Sequence, residues 1–285
     1  MNNNPKMLNG VDRRQLLLNT AGVFSLFGLG GVLQKTAVAA KAATTVVLTP
    51  QEEQGPYFVD GQLERKDVLY DTTTGTVQPG LHLFLKITIN QVAAGVVTPL
   101  TGARFDIWEA NASGLYSDES SEGTTGENYL RGYQIADSTG VVEFLTIYPG
   151  WYSGRTPHIH GMVRLYSGST VTFKFDTQFF FPDELTAEVY KLDPYSARAA
   201  SQNTFNTTDR VFNYTDCDTG AVSGQELLWT VVRANSSYMI AEYTLEIDLT
   251  APAPTCIGVS DGGINEGGGG PASAKAELHT ACKAG

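Results

Sequence analysis

Leu81-His82-Leu83-Phe84-Leu85-Lys86-Ile87-Thr88-Ile89 places Leu or Ile at every second position, with His82, Phe84, Lys86 and Thr88 between them. Successive side chains of an extended chain point to opposite faces, so a period of two reads as a strand with one buried face. Ala103-Arg104-Phe105-Asp106-Ile107-Trp108 repeats the pattern, and further strands are predicted over 141–147, 158–166, 171–181, 227–232 and 243–249. Turn-forming clusters such as Asp137-Ser138-Thr139-Gly140 and Pro149-Gly150 separate them. One helix is expected over 183–191, entered at Pro182 and ended before Pro194. Many strands with few short helices predict an all-β fold, an antiparallel β-sandwich or barrel-like domain.

Composition agrees. The 285 residues are 42% hydrophobic and only 17% charged, enough apolar material for a real core and too little charge for a disordered chain. The 30 Gly and 12 Pro suit many short elements joined by turns. A formal net charge of -11 has the wrong sign for binding a phosphate backbone, so nucleic acid is excluded as a partner. With 3 Cys there is no dense disulfide framework and no zinc-ribbon spacing. Two of Cys217, Cys256 and Cys282 could pair in an oxidising compartment, and the sequence does not say which.

The first 39 residues read as an export signal. Arg13-Arg14-Gln15 precedes an apolar run that Asn19, Thr20, Ser25 and several glycines dilute, and Ala37-Val38-Ala39 offers a cleavage site. The run is short for a bilayer, so no stable membrane insertion is expected after cleavage. The paired arginines resemble a twin-arginine signal, which implies export of a folded protein to the periplasm or beyond. Residues 40–250 then form the β domain. From 251 the text turns to Ala-Pro repeats and glycine runs, which predict a flexible tail over 251–285.

Two of the 4 histidines are His158 and His160. On a strand they point to one face, which delivers two imidazoles to one site. An H-x-H pair alone is weak evidence for a metal, but its surroundings are specific. Upstream stand Gly55-Pro56-Tyr57-Phe58, Trp108-Glu109-Ala110-Asn111 with Gly114-Leu115-Tyr116-Ser117, and Thr146-Ile147-Tyr148-Pro149-Gly150-Trp151-Tyr152, followed by Arg155-Thr156-Pro157-His158-Ile159-His160.

In this order the segments resemble the intradiol ring-cleavage dioxygenases, from about residue 49 to 249. The resemblance implies one non-haem Fe(III) per chain, held by Tyr116, Tyr152, His158 and His160. It also implies a substrate-facing Arg155 joined by Gln178, with Tyr152 as a built-in base. The implied reaction cleaves a catechol-type diol with O2 to a cis,cis-muconate-type diacid. The ligand chemistry is consistent: a trivalent ion can deprotonate two phenols, and no thiolate softens the set. Tyr129, Tyr133 and Tyr148 read as core or surface aromatics, and Trp108 and Trp151 as packing. Catechol-specific members carry a helical dimerisation segment before the Gly-Pro-Tyr block. The short stretch between Ala39 and Pro56 lacks it, so the pattern resembles the compact protocatechuate 3,4-dioxygenase-like domain and its exported relatives. The 117–128 loop is expected at the pocket mouth, and no motif sets the ring substituents or the oligomeric state. The competing reading is an exported β-sandwich binding module without useful turnover, since a fold alone implies no function.

Overall fold

The opening alternation becomes β1 (His82–Ala93), with Leu83, Leu85, Ile87 and Ile89 buried and His82, Phe84 and Lys86 exposed. The computed structural model describes residues 46–216 and 220–250, together with the backbone of 255–256. The following strands are β2 (Val96–Pro99), β3 (Arg104–Trp108), β4 (Arg131–Ile135), β5 (Val141–Ile147), β6 (His158–Ser167) and β7 (Thr170–Phe180). After the helices α1 (Asp183–Val189) and α2 (Ser196–Ala199) come β8 (Thr215–Asp216), α3 (Ser223–Glu226), β9 (Thr230–Ala234), β10 (Tyr238–Ile247) and β11 (Thr255–Cys256).

Two sheets form a sandwich. One runs β2-β1-β10-β9, with β5 also paired to β1; the other runs β4-β3-β6-β7. β8 and β11 form a separate short pair. The all-β expectation holds, with one local departure: β1 and β10 pair in parallel, from His82↔Tyr238 to Gln91↔Ile247. Parallel neighbours need a long crossover, and here the second sheet and the helices lie between them in sequence. The core lies between the sheets, where Leu83, Ile87, Phe144 and Leu245 meet Phe105, Ile107, Val163 and Phe179. Each such side chain contributes about 1.5–3 kcal/mol by leaving water.

Several boundaries differ from expectation. β9 starts at Thr230 rather than 227, β10 starts at Tyr238 rather than 243, and α1 ends at Val189. β2 and β4 are additional: Val96-Val97-Thr98-Pro99 is exposed throughout and Gly132 interrupts β4, so neither carries a period-two pattern. The expected signal at 1–39 lies outside the described residues. So do the side chains of all three cysteines and all of the 251–285 tail except the 255–256 backbone. Among the described residues no helix is long and apolar enough to cross a membrane.

β3 is buried along its whole length and β6 along most of its own. One face of each supplies the core: Phe105 and Ile107, Ile159 and Val163. The other face carries Arg104, Asp106, Trp108, His158, His160 and Arg164, and the register lines up Trp108↔His160↔Gln178 across three strands. Two segments cover this second face. Residues 49–62 form a strap, in which Glu52 N donates to Asp176 O and Asp60 pairs with both Arg104 and Arg164. Residues 203–214 close the other side, where Thr156 Oγ1 donates to Asn206 Oδ1 at 2.9 Å.

Candidate metal centre

β6 turns His158 and His160 to the covered face, with their Nε2 atoms 3.1 Å apart. His158 Nδ1 lies 2.6 Å from the Thr156 carbonyl oxygen, so Nδ1 carries the proton and Nε2 presents its lone pair inward. The Tyr116 hydroxyl is 3.5 Å and the Tyr152 hydroxyl 3.4 Å from that same Nε2. The four predicted ligands therefore converge, drawn from β6 and two different loops. Tyr116, His158 and His160 are buried and Tyr152 is half-buried.

Local chemistry fixes each ring. Tyr116 follows the turn at Gly114, whose φ of +79° suits glycine and where a Cβ would sit 2.0 Å from the Trp151 carbonyl oxygen. The loops bearing Tyr116 and Tyr152 thus touch through backbone. Gly55, at φ +72°, brings the strap against His160: a Cβ there would lie 3.0 Å from its Cε1. Trp108 stacks on His160, with centroids 4.8 Å apart and planes 7° apart. Tyr57 stacks on Tyr116 at 4.3 Å. The buried Arg131 donates from Nε to Ser117 Oγ at 2.6 Å and from Nη1 to Tyr57 O at 2.9 Å, tying the Tyr116 loop to the strap. The 117–128 loop folds back beside Tyr116, where Glu122 accepts from Tyr116 N at 2.5 Å.

The electrostatics suit a cation. Burial, then the neighbouring Arg155, holds His158 well below the usual imidazole range, and burial does the same for His160. Both rings are therefore neutral donors. Burial pushes the Tyr116 phenol well above its usual range, and burial pushes Tyr152 up to about 12 although Arg155 pulls it down. With His158 Nε2 unprotonated, the 3.1 Å contact holds either a proton on His160 Nε2 or a cation shared by both nitrogens. Two neutral nitrogens and two phenol oxygens fit a hard, highly charged ion, because only such an ion would convert buried phenols to phenolates. Among the described residues no three His, Cys, Asp or Glu side chains converge, so the phenols are needed to complete a metal site.

Beside the four donors lies Arg155, whose Nη2 donates to Gln178 Oε1 at 2.5 Å. The wholly buried Gln178 donates from Nε2 to Glu53 O at 2.8 Å, and this fixes which end of its amide faces Arg155. Sequence reasoning missed Asp209, whose Oδ2 accepts from Arg155 Nε at 2.9 Å. It also left unassigned two rings against the ligands: Tyr57, inside a quoted block, and Trp108, read as packing but stacked on His160. The alternation that puts Trp108 opposite β6 was the available signal for the latter.

A family model described as Dioxygenase matches residues 53–168, a span that holds Gly55, Tyr116, Tyr152, Arg155, His158 and His160. No curated protein matches the chain. Among solved structures, an intradiol ring-cleavage dioxygenase from Tetranychus urticae is 25% identical over 71% of this chain and 95% of its own, with a TM-score of 0.59. A dioxygenase designated Tetur07g02040 is 26% identical over 71% of this chain and 94% of its own, also at 0.59. The dioxygenase domain of a dioxygenase carbohydrate-binding protein fusion from Streptomyces sp. SirexAA-E is 27% identical, over 71% and 99%, at 0.48. The matched span and the shared sandwich agree with the motif order: over residues 53–168 the chain is similar to the Dioxygenase family, and in its fold it is similar to an intradiol ring-cleavage dioxygenase.

Proposed function

We propose that the protein cleaves a catechol-type aromatic diol with O2 to a cis,cis-muconate-type diacid, at a non-haem Fe(III) held by Tyr116, Tyr152, His158 and His160. The convergence of two phenols and two neutral imidazoles beside Arg155 carries this reading. When bound, ferric iron would supply the Lewis acidity that keeps both phenols ionised and the redox partner for the diol.

The chain's own residues divide the remaining work. Tyr116 is buried beneath Tyr57 and has no room to leave, so it is the permanent oxygen donor. Tyr152 is half-buried, meets Tyr116 and Tyr57 only edge-on, and is the donor able to take a proton at its phenol oxygen from a diol hydroxyl. His158 keeps Nε2 free for the metal by donating Nδ1–H to Thr156 O. Arg155 uses Nε and Nη2 on Asp209 and Gln178, which leaves Nη1 without a partner among the described residues and available to charge developing on the ring. Tyr57 and Phe58 reach from the strap to pack on Tyr116 and Trp108.

Purified protein should contain close to one iron per chain and be burgundy from phenolate-to-iron charge transfer. Tyr116→Phe should shift or bleach that band. Iron-loaded but colourless protein, or a variant with an unchanged spectrum, overturns the ligand set, and coloured protein inert toward every catechol favours a binding module. We further propose export through a twin-arginine signal in residues 1–39, placing the enzyme outside the cytoplasm.

A further inference from the structure

Asp209 is a fully buried carboxylate in the 203–214 segment, 54 residues from its most important neighbour. Its Oδ2 accepts from Arg155 Nε at 2.9 Å and from Thr156 N at 2.7 Å. Its Oδ1 accepts from Val211 N at 2.8 Å and Phe212 N at 2.9 Å, so the carboxylate is itself immobilised by its own loop. Every bond is to a donor that a neutral amide side chain could satisfy only in part. A buried acid used merely for packing could be replaced by an apolar group at little cost, whereas this one holds a particular guanidinium in a particular orientation.

We infer that Asp209 is the positioning residue for Arg155, and this role rests on the proposed ring cleavage. A guanidinium is a planar fork, and fixing two of its nitrogens fixes the third. Asp209 takes Nε, Gln178 takes Nη2, and Nη1 is left directed by both. The two anchors come from separate elements: Gln178 from β7, itself locked by the strap carbonyl of Glu53, and Asp209 from the closing segment. Asp209 also grips Thr156 N, and the carbonyl of Thr156 orients His158. One carboxylate therefore sets the spacing between Arg155 and the nearer imidazole. A preorganised donor acts because it needs no reorientation as charge develops, and this depends on its support as much as on the arginine.

The test compares parent, Asp209→Asn, Arg155→Ser and the double variant as iron-loaded full-length protein. Asp209→Asn should keep its iron and its visible band. Its dissociation constant for a catechol, read anaerobically from the band shift, should change less than about threefold while kcat falls about ten- to a hundredfold. In the Arg155→Ser background the same substitution should change kcat less than about twofold, because its effect passes through the arginine. Equal activity of parent and Asp209→Asn, or losses that simply multiply in the double variant, would overturn the positioning role. Should Asp209→Asn fail to fold, Arg155→Lys reads the same contact from the other side. A lysine has one nitrogen and can meet Asp209 or the ring, not both, so kcat should fall nearly as far as in Arg155→Ser. A lysine variant turning over like the parent overturns the role. A parent with neither colour nor turnover overturns the ring-cleavage reading itself, and this role with it.

Discussion

Arg155 shows how a single residue is made useful by what surrounds it. Burial alone would lower its pKa, but Tyr152 and Asp209 hold it above the usual guanidinium range, so its charge is permanent. It is a cation placed beside two neutral imidazoles that it further discourages from protonating. Removing it should spare the metal, since none of the four donors hydrogen-bonds to its side chain. Arg155→Ser should therefore keep iron and colour while kcat falls about a hundred- to a thousandfold, the loss of roughly 3–4 kcal/mol seen when one preorganised donor is removed. A coloured, fully active Arg155→Ser protein would take the arginine out of the mechanism and leave the metal site standing. Arg155 and the four converging side chains came from the family resemblance, which rests on compact motifs. Asp209 did not: it stands in Asn206-Thr207-Thr208-Asp209-Arg210, which reads as an ordinary polar loop, and its partner is remote in sequence.

At the scale of elements, the strap over 49–62 decides whether the site is closed. Its strand-like contacts run to β10 through Thr49 and to β7 through Glu52, and it then crosses His160 at Gly55. Glu52 docks it to α3, accepting from Ser223 Oγ at 2.5 Å, while its other carboxyl oxygen is buried without a partner among the described residues. Burial raises its pKa to about 8, against the opposing pull of Ser223 and Arg155. The unfolded carboxyl titrates near 4.5, so between pH 4.5 and about 8 the folded state holds a proton that the unfolded state has lost. Stability from this group is full below pH 4.5, falls as pH rises through the window and levels off above it. Glu52→Gln, neutral throughout, should flatten the fall of melting temperature between pH 5 and 8; identical slopes for parent and variant would show that Glu52 is ionised in the fold. The alternation of β1 and β3 made those strands readable, but the parallel β1–β10 pairing was not, because a register between strands so far apart leaves no local mark. Nor was the start of β10, where Tyr238-Met239-Ile240-Ala241 is apolar on both faces and hides its period.

For the whole molecule, the consequence is that the centre exists only in the folded chain. Its parts come from the strap, the Tyr116 loop, the Tyr152–Arg155 turn, β6, β7 and the 203–214 segment, and no contiguous stretch supplies it. With the proposed iron held by donors assembled this way, loading before the proposed export is favoured, and a route that carries folded cargo permits that. Arg13-Arg14 in the proposed signal would be read by a receptor as two planar guanidinium groups rather than as two charges. Replacing both, Arg13→Lys with Arg14→Lys, keeps the net charge of -11 but removes both forks. The precursor should then accumulate in the cytoplasm, folded, iron-loaded and coloured, with the exported fraction reduced at least about tenfold on cell fractionation. An ordinary secretory route threads unfolded chains and tolerates lysine in place of arginine, so normal export of the double variant would assign residues 1–39 to that route. Iron would then have to be acquired after export, and protein recovered from outside the cell in iron-depleted medium would be colourless; under the folded-cargo route it would carry whatever iron it held at the moment of export.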